Sequence, residues 1–513
     1  MQVLIDTVTA LYKSWCGEEP TRVEVIPQSG SDRRYFRLYG TGKDPVIATH
    51  GLNVAENEAF IYFSGHFHRM GLPVPEVLAL SYDKQCYLQK DVGDVSLLSI
   101  LEEKGFTDEV YALFKESLHQ LARLQVLGDK GLNYDRCLTN KEFGRQAIKA
   151  DLFYFKYYFL DALRKPYDKQ KLIDDFEALS SYLTFTEYKF FMFRDFQSRN
   201  IQIAPPPPKG GSTDTNGQPI TPPLGGGGAV FFIDYQGGMK GAPQYDVASM
   251  IWQARANLPD DWKDRLLHDY MDSFESLIDG PLDRAIFQSQ YNGYVLIRLL
   301  QVLGAYGFRG LFERKAQFLT AIPLALKNLA WFIEHNSVGI AVPEFKRVLE
   351  LCVQDEVIQR FTPVQATEDT PLVVRICSFS YRQGIPADNS GNGGGFVFDM
   401  RGIDNPGRHE QYKTEHGRDQ AVMEYLERQT RMQDFLVAVF DAVDISVEEY
   451  IKRGFANLSV SFGCTGGQHR SVYAADALAR HLKNKYKVKI DLCHLVQEAK
   501  GWKNSPPTPQ GGI

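Results

Sequence analysis

Phe193-Arg194-Asp195-Phe196-Gln197-Ser198-Arg199-Asn200, followed by Ile233-Asp234-Tyr235-Gln236, is the stretch on which the reading of this chain turns. Asp195 is followed five residues later by Asn200, and Asp234 closes an apolar strand-like run. Phosphoryl transfer asks little covalent chemistry of a protein: a group to take the proton of a substrate hydroxyl, hard oxygen ligands for Mg2+, and accurate positioning. Asp195 suits the first task, Asn200 and Asp234 the second. Singly, an Asp after a strand is a helix cap and an Asn a turn residue. The three together in a strand-loop-strand setting favour an active site that uses ATP and Mg2+.

The surroundings of this stretch divide the chain. Val23–Ile26, Tyr35–Tyr39, Val46–Ala48 and Tyr87–Lys90 read as strands, and residues 57–70 as a helix ended by Gly71 and Pro73. This gives a small sheet lobe over about 1–94. Residues 95–335 carry helical spacing, as in Leu113, Leu118, Leu121 and Leu124. The aromatic runs Phe153-Tyr154-Phe155 and Tyr157-Tyr158-Phe159 suit a helical core better than a sugar-stacking platform. The two apolar runs at 200–203 and 230–233 are expected to pair as a hairpin. The Pro- and Gly-rich stretch from Pro205 to Gly228 would be a mobile insertion at its tip. Residues 336–371 read as a linker with one helical piece. A second domain over 372–503 has strands at Leu372–Ile376, Gly395–Asp399 and Leu458–Phe462 and helices near 416–440, 445–454 and 470–485. Alternation of this kind gives an α/β layer fold. Residues 504–513 read as a disordered tail.

A resemblance follows from three blocks: Ser31-Asp32-Arg33-Arg34-Tyr35-Phe36-Arg37, Phe193 to Asn200, and Asp234-Tyr235-Gln236 with Gly241-Ala242-Pro243-Gln244-Tyr245-Asp246. The first 335 residues resemble the aminoglycoside-phosphotransferase and choline-kinase-like superfamily, and within it the bacterial anomeric kinases of N-acetylmuramate and N-acetylglucosamine. The resemblance implies an α+β, protein-kinase-like bilobal fold. It implies Asp195 as base, Asn200 and Asp234 as metal ligands, and Asp246 as a brace for the loop around Arg199 or the backbone. Two departures stand out: Phe193 occupies a position usually held by His, and no Lys lies in the strand Ile47-Ala48-Thr49-His50 where one would meet the nucleotide phosphates. Arg33, Arg34 or Arg37 could supply that charge. Asp91 and Asp94 read as residues of a hinge turn.

In the second domain, Phe462-Gly463-Cys464-Thr465-Gly466-Gly467-Gln468-His469-Arg470-Ser471 leaves a strand and opens a helix. Glycines that let amides converge, a helix N-terminus and Arg470 form an anion-binding design. The spacing Cys464-x5-Arg470-Ser471 also fits a cysteine-phosphatase loop. Gly463, however, stands where that loop has His, no general-acid Asp is identified, and Cys464 reads as a small packing residue. With Gly384-Ile385-Pro386, Phe396 to Arg401 and Asn405-Pro406, the segment resembles the C-terminal domain of the RNase adapter RapZ. That resemblance implies a sensor of an amino-sugar phosphate with RNA or protein partners. Its phosphate contacts would fall on Thr465, Gly466, Gly467, His469, Arg470 and Ser471, with Arg401 a further candidate. His494-Leu495 departs from the His-Arg usual there.

The whole chain of 513 residues, 44% hydrophobic with a net charge of −6, is long enough for two or three cores and argues against a general nucleic-acid or anionic-membrane binder. Seven scattered cysteines (Cys16, Cys86, Cys137, Cys352, Cys377, Cys464, Cys493) show no zinc spacing and suggest a reduced protein. No leader or membrane-spanning run is read, so a cytoplasmic enzyme is expected. The joint expectation is an ATP-dependent sugar 1-kinase of cell-wall recycling fused to a phosphosugar sensor. The competing readings are a non-catalytic pseudokinase fused to a working sensor, and a kinase of another small alcohol such as an aminoglycoside or choline.

Overall fold

The structure, a computed structural model, describes residues 2–27, 32–204, 229–313, 316–362, 364–388, 390–391 and 393–502. Ser31 of the first motif, the 205–228 insertion, two positions of the Asn389–Gly394 loop and the expected tail lie outside these residues. The chain divides into two compact units, the first covering Met1–Glu313 with Ala321–Arg360 and the second Arg314–Thr320 with Phe361–Ile513. The expected fold class, a bilobal α+β unit followed by an α/β domain, is the one observed.

The first unit begins with a helix, α1 (Gln2–Cys16), that the sequence reading missed. Five antiparallel strands follow: β1 (Arg22–Ile26), β2 (Arg34–Gly40), β3 (Lys43–His50), β4 (Val77–Leu80) and β5 (Cys86–Lys90), in the order β1-β2-β3-β5-β4. Strand alternation sends Phe36, Leu38, Val46, Ala48 and Leu88 to one face. There they are sealed by Val8, Leu11 and Tyr12 of α1. The helix α2 (Val54–Arg69) lies between β3 and β4 in sequence. Asn53 caps it by accepting the Glu56 amide at 3.3 Å, which puts Glu56 in its first turn.

Two short strand pairs flank the Phe193–Asn200 stretch. Strand β6 (Phe190–Met192) pairs with β9 (Met239–Gly241), which was not anticipated, and β7 (Ile201–Ala204) pairs with β8 (Ala229–Phe232), as the two apolar runs predicted. The aromatic runs of the helical lobe, expected to be core, are core only in part. Phe155 and Phe159 are fully buried, while Tyr157 is exposed. The helix Arg284–Gly307 has the length and composition to cross a bilayer, yet fourteen of its residues are buried within the unit. The expected linker is corrected in part. Its helical piece, Pro343–Cys352, belongs to the first unit: Phe345 packs edge-on against Phe176, and its amide donates to Asp175 Oδ2 at 2.8 Å.

The second unit carries β10 (Val373–Ser380), β11 (Phe396–Asp399), β12 (Asn457–Cys464) and β13 (Lys489–His494) in the all-parallel order β11-β12-β10-β13. Helices Met432–Arg453 and Arg470–Tyr486 cover it through Leu436, Val439, Val443, Leu478 and Leu482. A sheet of this type is buried on both faces. The helix expected to break near 441–444 runs through; the break falls instead at Thr430–Arg431. Strand β13 was not anticipated. It sets Cys493 opposite Cys377 in the β10 register, and the two form a disulfide spanning 116 residues. That corrects the fully reduced reading, because a parallel neighbour so distant in sequence leaves no trace in cysteine spacing.

Phe36 is fully buried where α1 meets the sheet. Phe36→Ala should destabilise the first unit by about 3–5 kcal/mol in denaturant unfolding followed by tryptophan fluorescence.

Candidate active site

Asp246 organises the catalytic stretch from beneath. Its Oδ2 accepts the Phe193 amide at 2.7 Å and its Oδ1 the Arg194 amide at 2.9 Å, with Gln125 Nε2 donating at 3.0 Å. Burial pushes the Asp246 carboxyl up to about 7 despite these donors. Of the two roles expected for it, the backbone brace is the one found; Arg199 lies elsewhere. The bond to Arg194 matters because that residue has φ +79°, left-handed backbone that costs a non-glycine residue about 1–3 kcal/mol. The Arg194 side chain is pinned by Asp151 (3.0 Å) and Tyr245 (3.0 Å) and lies over the Phe143 ring. Phe193 fills the position of the missing His by packing edge-on against Phe196, Phe232 and Tyr235.

The fold in the chain at Arg194 presents Asp195 to two guanidinium groups. Arg199 Nη2 meets Oδ2 at 3.0 Å, and Arg298 Nη2, from the helix Arg284–Gly307, meets Oδ1 at 3.0 Å. Burial alone would raise the Asp195 carboxyl, but Arg298 and Arg199 outweigh it and hold the group below its ordinary value. It is therefore fully ionised at neutral pH. Arg298 is itself only 7% exposed. Sequence reading missed it, although a lone charge in the run Tyr294-Val295-Leu296-Ile297-Arg298-Leu299-Leu300 was a usable signal.

Asn200 links the backbone of Asp195 to the carboxylate of Asp234. Its Nδ2 donates to the Asp195 carbonyl at 3.0 Å and lies 3.4 Å from Asp234 Oδ2. The amide Oδ1 is thereby left as its remaining acceptor. Asp234 has φ +70° and accepts from Gln236 Nε2 at 2.8 Å. Burial, joined by the charge of Asp195, raises the Asp234 carboxyl above its usual range. An oxygen-rich pair whose charge is penalised by burial and by a neighbouring anion fits a hard divalent cation such as Mg2+, which would relieve both terms.

Of the three arginines proposed for the nucleotide, the structure separates the roles. Arg33 is 6% exposed and pairs with Glu56 at 3.1 Å; Gln236 Nε2 reaches the same Glu56 oxygen at 3.2 Å. A network Arg33–Glu56–Gln236–Asp234 thus joins the sheet lobe to the Asn200–Asp234 pair. Arg37 is committed to Asp91 at 2.6 Å and lies 3.4 Å from Asp94, and Gly93 N closes a turn on Asp91 at 2.9 Å. Arg37 is therefore part of the hinge. Arg34 faces His50 in the β2–β3 register and takes no part in either arrangement. Glu56 and Gln236 were not singled out from sequence, since neither is unusual where it stands in the chain.

In the second unit, β12 delivers Cys464 to the bottom of the 465–469 loop. Gly467 has φ +63°, and a Cβ there would lie 2.5 Å from Val496; a Cβ at Gly463 would lie 2.4 Å from Phe379, which explains why no larger residue stands at either position. Thr465 and Gly466 are exposed. The loop carbonyls are held away, Thr465 O by Ser380 Oγ at 2.7 Å and Gly467 O by Gln497 Nε2 at 3.3 Å. Arg470 is 4% exposed and donates to Ile403 O at 2.6 Å. Ser471 is buried beneath the loop, with its hydroxyl 3.2 Å from Cys464 Sγ. His469 is turned to the Tyr412 carbonyl at 2.8 Å and is kept neutral by burial, so it braces the 406–415 segment. Arg401 pairs with Asp399 at 2.6 Å and lies over the Tyr381 ring. His494 is fully buried between Ser378 and Asp476, and Asp476 is paired with Arg418 at 2.6 Å.

Residues 372–496 match the family model described as the RapZ C-terminal domain. Among curated proteins the chain is similar to a nucleotide-binding protein of Endomicrobium trichonymphae, 41% identical over 117 residues, 23% of this chain and 39% of that protein. A nucleotide-binding protein of Clostridium kluyveri is 34% identical over 149 residues, 29% of this chain and 49% of that protein. The chain thus spans less than half the length of these curated relatives. Among solved structures it is similar to choline kinase LicA of Streptococcus pneumoniae, with 12% identity and TM-score 0.40, covering 64% of this chain and 99% of that one. A choline kinase of Cryptosporidium parvum gives 12% identity and TM-score 0.44, covering 68% and 99%. At that level neither structure bears on the chemistry, which is read from the residues themselves.

Removing the Arg298 charge should raise the Asp195 pKa, because the cation stabilises only the ionised carboxylate. For Arg298→Met, the acidic limb of a kcat/KM-against-pH profile should therefore move to higher pH, with the alkaline limb unmoved.

Proposed function

We propose that the first unit is an ATP- and Mg2+-dependent phosphotransferase acting on a small-molecule hydroxyl, and that its acceptor is the anomeric hydroxyl of N-acetylmuramate or N-acetylglucosamine in cytoplasmic cell-wall recycling. The observation that carries the catalytic reading is the Asn200 amide, which ties the Asp195 backbone to the Asp234 carboxylate and so makes one cluster of base and metal ligands. Mg2+ held by Asn200 and Asp234 would neutralise charge on the nucleotide phosphates. Arg33, fixed by Glu56, supplies the phosphate-facing cation that β3 lacks. Asp195 orients the acceptor hydroxyl. Because its pKa is held low it is a weak base, suited to taking the proton late, as the new P–O bond forms. The amino-sugar acceptor rests on the motif resemblance and on the presence of a RapZ-like domain in the same chain. The second unit is read as the phosphosugar-sensing regulatory part, with the phosphate over Thr465, Gly466 and Gly467 and within reach of Arg470.

A pseudokinase reading drew on Phe193 and the missing Lys. The Asp246 brace and the Arg33–Glu56 pair supply by other residues what those two positions would have given.

Two measurements test the assignment. With ATP and each sugar in turn, wild-type protein should form a sugar 1-phosphate detectable by phosphorus NMR, and Asp195→Asn should lower kcat roughly 100- to 10,000-fold. Equal turnover by the variant would refute the base. Arg33→Met should lower kcat/KM for ATP by roughly 10- to 100-fold, the worth of one charge-assisted hydrogen bond; an unchanged value would remove Arg33 from the nucleotide site.

A further inference from the structure

Cys464 does not behave as a packed thiol. The free buried cysteines of the first unit, Cys86 and Cys352, are both pushed up to about 12 by burial. Cys464 is just as enclosed, at 3% exposure, yet it moves the other way. Burial would raise it; hydrogen bonds from Ser471 and from the Gly467 amide, with the charge of Arg470, bring it below its ordinary value. The geometry is explicit. The Gly467 amide donates to Sγ at 3.1 Å and the Ser471 hydroxyl lies 3.2 Å from it. A sulfur that receives an amide, with a hydroxyl in reach, is placed as an acceptor, the setting that favours its ionised form.

Arg470 completes the arrangement. Its Nη1 is spent on the Ile403 carbonyl, but its Nε is buried with no hydrogen-bond partner among the described residues. Cys464 is the foremost charge acting on it. One unspent guanidinium donor, the N-terminus of a 17-residue helix and the Cys464 sulfur below a loop whose Thr465 and Gly467 carbonyls are bound elsewhere form a site that can hold a phosphate with a nucleophile beneath it.

We propose that Cys464 is a nucleophile, and that the second unit transfers the phosphoryl group of an activated phosphate monoester to its sulfur and then to water. A lone pair on Sγ forms an S–P bond as the ester P–O bond breaks, the electron pair leaving with the oxygen. The two acids near Arg470 cannot protonate that oxygen. Asp399, bound by Arg401, and Asp404, bound by Tyr425 and the Asn405 amide, are both held below the carboxylate range and are ionised. The proton comes from water, which restricts substrates to aryl or comparably acidic leaving groups. Water then adds to phosphorus, the S–P bond breaks, a proton passes to solvent, and inorganic phosphate and the thiolate are released. The Gly467 and Ser471 donors serve this second step, since a stabilised thiolate leaves faster.

The proposal rests on the loop binding phosphate, so the test reads binding and chemistry separately. Full-length protein without nucleotide is given p-nitrophenyl phosphate, and iodoacetamide labelling of Cys464 is followed with and without inorganic phosphate. Release of p-nitrophenol at least tenfold above that of Cys464→Ser, with the variant still binding inorganic phosphate, supports the proposal. Equal rates overturn it. Labelling blocked by phosphate without any turnover overturns the nucleophile and leaves the phosphate site standing; no protection and no turnover overturns both. Should Cys464→Ser not fold, the pH dependence of labelling in the wild type decides. A midpoint below the ordinary thiol range supports the thiolate, and one at or above it overturns the proposal.

Discussion

The candidate site of the first unit depends on one buried carboxyl group, Asp246. Two adjacent backbone amides, those of Phe193 and Arg194, end on its two oxygens. This explains how the chain tolerates a left-handed arginine at 194 and a phenylalanine at 193. Strain of about 1–3 kcal/mol persists only where surrounding bonds over-determine the backbone, and here an ion pair to Asp151 and three aromatic contacts of Phe193 add to the Asp246 bonds. The turn so fixed delivers Asp195 to Arg298 and Asn200 to Asp234.

Charge is arranged in a gradient across the candidate site. Asp195 lies among arginines and is pulled down; Asp234 lies beside Asp195 in a buried position and is pushed up. Two neighbouring carboxylates thus have opposite electrostatic settings, the first stabilised by two guanidinium groups and the second destabilised by burial and a nearby anion. The same logic of displaced ionisation recurs in the second unit. There Cys464 and Asp476 are both pulled below their ordinary values against the effect of burial, the first by amide and hydroxyl donors, the second by Arg418. In each case the decisive partner comes from a distant part of the sequence or from the turn of a tight loop.

Much of this was legible beforehand. The β7–β8 hairpin followed from two apolar runs, and Asp195, Asn200 and Asp234, singled out by residue type and spacing, are gathered into one cluster. The helix α1 was legible and missed: Leu4, Val8, Leu11 and Tyr12 recur at i, i+4, i+7 and i+8 and are the residues that meet the sheet. The other misses depend on distant partners. The helix Pro343–Cys352 was assigned to a linker because its docking partner, Asp175 and Phe176, lies some 170 residues earlier. Strand β13, and the Cys377–Cys493 bond it permits, depend on a parallel crossover that spacing cannot encode.

The sequence by itself determined which chemistry the site can attempt, because Asp195, Asn200, Asp234 and the Cys464–Ser471 loop act through side-chain type and local backbone freedom. Only the tertiary structure decided how strong each group is. How strongly Asp195 holds a proton depends on Arg298, 103 residues away; where each arginine of the first motif is directed depends on Glu56 taking Arg33 while Asp91 takes Arg37. Ionisation depends on distance and burial, and neither quantity exists until the chain has folded.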